Sequence, residues 1–169
     1  METAENQFVN PYTLRSIYLR NSSVRIVDGF DPAIPGQPLA ANFRTGDGKI
    51  ECRETEFEQN NVKTTARSCL FTTRFEFAYT RPSPDTPVQD DEDIEKLIVA
   101  QITADITVDY LFNHQDFPPV EDDLKRWASS NVILHSWPYW REFCHSMQVR
   151  MNLPVAMIPL IEFSQKQET

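Results

Sequence analysis

An α+β domain built on an antiparallel sheet is what the order of periodicities along this chain predicts. Segments whose apolar side chains alternate every second residue come first, and no helix-period segment separates them. The long stretch with helical spacing lies at the C-terminal end. With 169 residues, 40% apolar and 24% charged, the chain has the length and composition of one soluble globular domain spanning 1–169.

Residues 1–12 are expected to form a disordered arm. Leu14 to Val27 carries Ile17, Leu19, Val24 and Ile26 among polar residues, with a change of phase at Asn21-Ser22-Ser23 that predicts a strand with a bulge or bend. Asp31 to Pro38 is a proline-rich connector, and Gly46-Asp47-Gly48 is a turn signal ahead of a weaker strand over Ile50 to Val62. From Cys69 to Thr80 the odd positions supply Cys, Phe, Thr, Phe, Phe and Tyr, a half-buried strand. Residues 81–96 hold three prolines and an acidic run, so they read as an exposed hairpin loop. Leu97 to Phe112 alternates most cleanly: Ile98 to Phe112 on even positions face one way, and Gln101, Thr103, Asp105, Thr107 and Asp109 face the other. These make four strands.

After Phe117-Pro118-Pro119, Val120 to Ala128 begins acidic and ends basic, as a helix dipole prefers. Asn131 to Trp137 continues toward Pro138, which either kinks the helix or stands in the first turn of a second piece, where its missing N–H costs little. Tyr139, Trp140, Phe143, Cys144, Met147 and Met151 form an apolar stripe at helical spacing. The helix should end near Asn152, because Pro154 disfavours helical backbone before it. Residues 164–169 form a tail.

The composition excludes several chemistries. A net charge of −9 argues against a general nucleic-acid binder, which needs clustered Lys and Arg for phosphates. No apolar run approaches membrane-spanning length, and Met1 to Asn10 has no basic cluster, so a cytoplasmic location without membrane insertion is expected. Cys52, Cys69 and Cys144 are odd in number and unpaired in spacing, as fits reduced thiols. Gly29, Gly36, Gly46 and Gly48 build no phosphate-cradling motif. Cys144 and His145 are adjacent on a helix and diverge by about 100°, so they do not form a nucleophile–base pair. His114, His135 and His145 lack metal-ligand spacing, and Asp105 with Asp109 reads as a solvent-facing alternation. Neither a cofactor, a metal nor an enzyme activity is expected.

Pro138, Tyr139, Arg141, Glu142, Ser146, Met147, Arg150 and Pro154 stand in a register that resembles the signature of the SecB-type protein-export chaperones. That signature is a Pro-Tyr-Ala-Arg-Glu block followed by Ser-Met, an Arg and a Pro, and Trp140 here replaces its alanine. Asn131-Val132-Ile133-Leu134 resembles the family's lead-in, set further from the Pro-Tyr pair. Pro159 and Phe163 resemble its Pro-x-x-Phe ending with one extra residue between them. Near the other end, Leu14 to Val24 looks like the family's Ile-x-x-Ile-Tyr-x-Lys-Asp-x-Ser-Phe strand.

The resemblance implies a four-stranded antiparallel sheet with C-terminal helices packed on one side, assembled as a homo-tetramer, a dimer of dimers. It implies ATP-independent holding of unfolded polypeptide clients in hydrophobic grooves between sheet, helix and crossover loop. Aromatic and methionine surfaces suit that task because apolar contact demands no single hydrogen-bond pattern. Candidate groove residues are Phe71, Phe75 and Phe77 on the sheet with Trp137, Tyr139 and Trp140 on the helix, the two tryptophans expected to be partly exposed. Phe143 and Met147 are expected in the core. Pro138, Arg141, Glu142, Arg150 and Pro154 are expected to be structural. Where the family presents acidic residues to the motor ATPase SecA, this chain has Asn21 and Arg25, which argues against that docking. The chain stops six residues after Phe163, so the family's last helix is expected to be missing or replaced. These departures also fit a SecB-like chaperone dedicated to one partner, such as an antitoxin. A small-ligand enzyme is the remaining alternative.

Overall fold

The computed structural model describes residues 10–59, 61–82 and 95–160. Most of the expected arm and acidic loop, together with the tail and Phe163, therefore lies outside the described residues. Four strands, β1 (Tyr12–Ile26), β2 (Ala40–Gln59), β3 (Val62–Thr80) and β4 (Ile98–Phe112), form one antiparallel sheet in the order β1-β4-β3-β2. Strands β2 to β4 follow one another as a meander, and β1 pairs beside β4, a Greek-key arrangement. The connection from β1 to β2 must therefore cross from one edge of the sheet to the other. The long helix α1 (Glu121–Arg150) packs on one face.

Alternation decides which side chains meet that helix. Phe71, Phe75, Phe77 and Tyr79 of β3 join Ile102, Ile106, Val108 and Tyr110 of β4 in two adjoining clusters on the covered face. Under the N-terminal half of α1, Trp127 stacks on Tyr12 at 4.0 Å and meets Tyr110 edge-on at 4.6 Å. Under the C-terminal half, Trp140 stacks on Phe75 at 5.5 Å, with both side chains fully buried. Tyr12, placed in the expected arm, instead opens β1, because this aromatic cluster buries it.

The opposite face carries polar pairs: Arg74 meets Asp105 at 2.9 Å, and the Thr72 and Thr107 hydroxyls are 2.8 Å apart. The Arg74 guanidinium holds the Asp105 carboxyl below its ordinary range. Asp109, expected to face solvent, is buried instead. It sits on a central strand, and Arg15 from β1 and Arg53 from β2 reach over it from both sides.

Two local expectations are corrected. Gly46-Asp47-Gly48 is a bulge inside β2, where register passes from Thr45↔Phe75 to Gly48↔Thr73, and the strand starts at Ala40. A Cβ at Gly46 would lie 3.3 Å from Arg74 Cβ, so this glycine serves close approach within the bulge. The chain reverses later, at Asn61, whose φ of 62° is left-handed. The irregularity expected near Asn21 in β1 lies between Leu19 and Asn21, with another between Leu14 and Ser16. In α1, Pro138 is interior to a continuous helix and neither ends it nor starts a second piece. Losing that backbone hydrogen bond costs about 3 kcal/mol. Burial of Val132, Trp137, Trp140 and Cys144 on both sides of the proline offsets the cost.

Adjacent helix residues give a direct test of this packing. Trp140→Ala should lower unfolding free energy by about 3–5 kcal/mol, whereas Tyr139→Ala, at a side chain 49% exposed, should change it by less than about 1 kcal/mol. Urea midpoints of the two variants check the contrast.

Candidate polypeptide-binding groove

Helix α1 buries Leu124 and then a row spaced by four residues, Val132, Ser136, Trp140, Cys144 and Gln148. One flank of this row, through Trp127, Asn131 and His135, lies over Tyr12 and Tyr110, toward β1. The other flank, through Lys125, Ser129, Ile133, Trp137 and Arg141, faces β2. Two kinds of structure occupy that β2 side.

Beside the N-terminal half of α1, a hollow of about 230 Å³ lies between helix and strand, with Lys49, Lys125 and Ser129 among the polar residues on its walls. Gly48 and Ile50 form one wall, Phe71 the floor, and Ala128, Val132 and Ile133 the other wall. A second hollow continues past Ile50 to Cys52, Pro118 and Leu124. A Cβ at Gly48 would meet only the Thr72 carbonyl oxygen, at 3.8 Å, so this glycine leaves the wall low. From Lys125 to Ile133 the helix rises about 12 Å, the length of three to four extended residues at about 3.3 Å each.

Beside the C-terminal half of α1, the chain itself fills the groove. After the helix, Asn152 turns with φ 55° and the backbone returns without regular structure, antiparallel to α1. Ala156 lies by Gln148, Ile158 by Arg141 and Pro159 by Trp137. The contacts go to main-chain atoms: Ala156 N–H donates to Gln148 Oε1 at 2.7 Å, Arg141 Nε donates to the Ile158 carbonyl at 2.9 Å, and Trp137 Nε1 donates to the Pro159 carbonyl at 2.9 Å. The Tyr79 hydroxyl, with one proton to donate, faces two acceptors, Gln148 Oε1 at 2.9 Å and the Pro154 carbonyl. Burial pushes the Tyr79 pKa up to about 12, which keeps that proton in place. Leu153 and Ile158 are buried, while Val155, Met157 and Leu160 point outward. The returning segment is thus held by two apolar anchors and four hydrogen-bonding side chains that read backbone.

The candidate residues take distinct places in this arrangement. Phe71 lines the open hollow, whereas Phe75 and Phe77 are buried in the core, Phe75 under Trp137 and Trp140. Both tryptophans are buried rather than partly exposed, because they insert between helix and sheet; Trp137 also meets Phe43 of β2 edge-on at 6.0 Å. Tyr139 is on the outer side of α1 and is not brought to the groove. Phe143 and Met147 are half-buried against the core. Of the expected structural residues, Arg141 and Pro154 hold or form the returning segment, Arg150 stands in the last helical turn, and Glu142 is exposed. Asn21 and Arg25 pair with Asp105 and Gln101 on the opposite face. Gln148 was not singled out by sequence, since a polar residue interrupts an apolar stripe; its position four after Cys144 was the available signal.

Among the described residues no cluster of His, Cys, Asp and Glu could hold a metal ion, and no helix is long and apolar enough to cross a membrane.

The fold is that of the SecB-like chaperones. A SecB-like chaperone of Mycobacterium tuberculosis, solved in complex with a ChAD peptide from the HigA1 antitoxin, superimposes with a TM-score of 0.64. The match covers 92% of this chain and 94% of that chain at 14% sequence identity, a likeness of fold. No protein-family model and no curated protein matches the sequence.

Gln148 gives the clamp its test. Gln148→Leu keeps side-chain volume but strands the Ala156 N–H, so it should cost about 1–3 kcal/mol. Amide exchange at Ala156 should accelerate by about tenfold or more. Exchange measured residue by residue checks this.

Proposed function

We propose that this protein is an ATP-independent holdase that receives extended, non-native polypeptide segments in the groove between β2 and α1. One observation carries the reading: the chain's own Leu153–Leu160 segment lies against α1 and Tyr79 of β3, held through its backbone and two apolar side chains. Main-chain hydrogen bonds are available from any polypeptide, and apolar anchors tolerate many side chains. The open hollow beyond Trp137 offers clients a place between the same helix and sheet.

Homo-oligomer assembly, as a tetramer made from two dimers, belongs to the same proposal. Its support is the β1 edge, where Leu14, Leu19, Val24 and Ile26 pair with covered-face positions of β4 yet stay exposed. Export substrates belong to the client class of this first reading. A second reading, a dedicated chaperone for one partner, is favoured by the antitoxin peptide bound to the structural neighbour. The two readings differ in competition: an unrelated unfolded client displaces a co-purified partner from a generalist and leaves it bound to a specialist.

Aggregation of a chemically denatured client should fall at substoichiometric ratios of this protein, without ATP. Gly48→Leu, which raises the groove wall, should weaken binding of a fluorescent apolar peptide by about tenfold while shifting the urea midpoint little. Equal affinity for both proteins would refute the β2–α1 groove as the client site. A solution mass equal to the monomer would refute the assembly.

A further inference from the structure

Strands β2 and β3 bring two of the three cysteines together. Cys52 and Cys69 are directly opposed in the antiparallel register, both on the helix-covered face, with their Sγ atoms 2.6 Å apart. That is inside the sum of two sulfur radii and longer than the bond of about 2.05 Å, so little motion separates this pair from a covalent link. Cys52 is half-buried and lines the open hollow beside Pro118 and Leu124, where a small reagent can reach it. Cys69 is fully buried beneath it. Cys144 lies in the other core cluster, with Gln148 Nε2 donating to its sulfur at 3.3 Å. The exposed thiol of this pair thus has one neighbour in reach, and that neighbour is within its own chain.

We infer that Cys52 and Cys69 form a reversible cross-strand disulfide when the protein meets a small-molecule disulfide oxidant. The Cys52 thiolate attacks one sulfur of the oxidant, breaks its S–S bond, expels one small thiolate and becomes a mixed disulfide. Cys69 then loses its proton to solvent and attacks Cys52 Sγ, expelling the second small thiolate. Two protein thiols are oxidised by two electrons, one oxidant disulfide is reduced to two thiols, and the two protons leave with the products. The bond ties the β2 wall of the open hollow to the β3 floor. Burial, the Cys52 thiol and Asp109 together push the Cys69 thiol well above its ordinary value, so the second step is slow at neutral pH and quickens as pH rises. The inference is independent of what the groove binds.

The test uses the full-length protein, incubated folded with glutathione disulfide, quenched with acid, then denatured and alkylated. The expected product has one alkylated thiol per chain, Cys144, and a Cys52–Cys69 linked peptide that dithiothreitol releases. Its formation rate should rise severalfold from pH 7 to pH 8. Cys52→Ser, at the half-exposed member, should leave both remaining cysteines alkylated. Three alkylated thiols, glutathione retained on Cys52 with Cys69 free, or a link between two chains would each overturn the assignment.

Discussion

A helix is narrower than the sheet it has to cover, and the rest of this molecule follows from that mismatch. Four strands spaced about 4.8 Å apart put the outer two roughly 14 Å from each other, whereas α1 with its side chains is about 10–12 Å across. Seated over β3 and β4, the helix completes the burial of the two central strands and leaves the covered faces of β1 and β2 half-shielded. On the β2 side, the segment after the helix turns back and fills part of the gap, leaving the rest as an open hollow. On the β1 side, Leu14, Leu19, Val24 and Ile26 have no such cover among the described residues. Both features come from one shortage of covering structure.

The same mismatch explains how far the sequence could be read. From Cys69 onward β3 alternates cleanly, as β4 does, because one face there lies under α1 and its apolar positions are constrained. Strand β2 is an edge strand with only part of one face covered, and Asn42, Arg44, Thr45, Lys49, Glu51 and Arg53 blur its alternation. Its Gly46-Asp47-Gly48 then imitates a turn, although the pairing with β3 runs past it on both sides. Composition cannot distinguish a bulge from a reversal when the flanking alternation is weak.

The helix was legible as an element, and its buried arc only in part. Periodicity identifies an apolar arc, but Tyr139 and Trp140 are neighbours about 100° apart, and which of them is central depends on the sheet beneath. Phe75 decides this by stacking on Trp140 and leaving Tyr139 outside. Pro138 imitates a boundary for a related reason. Local preference counts against a proline there, and the apolar burial on both sides of it outweighs that preference. The register that resembles the SecB signature was informative because it tracks a packed arrangement. Arg141 and Pro154 serve the returning segment, a contact between residues that no periodicity analysis would join.

The balance of donors and acceptors around that segment bears on what the groove selects under the proposed reading. Tyr79, Arg141 and Trp137 all present donors, and Gln148 Oε1 is the acceptor that takes the Ala156 N–H. Carbonyls are therefore met more often than N–H groups. Proline offers a carbonyl and no N–H, and two of the three engaged carbonyls in the resident segment belong to Pro154 and Pro159. Both prolines are exposed, so an N–H at either place would be met by solvent, and the preference lies in which main-chain group the side chains engage. Under that reading the groove combines tolerance toward side chains with a preference for carbonyls over N–H groups, because three of the four holding side chains present donors.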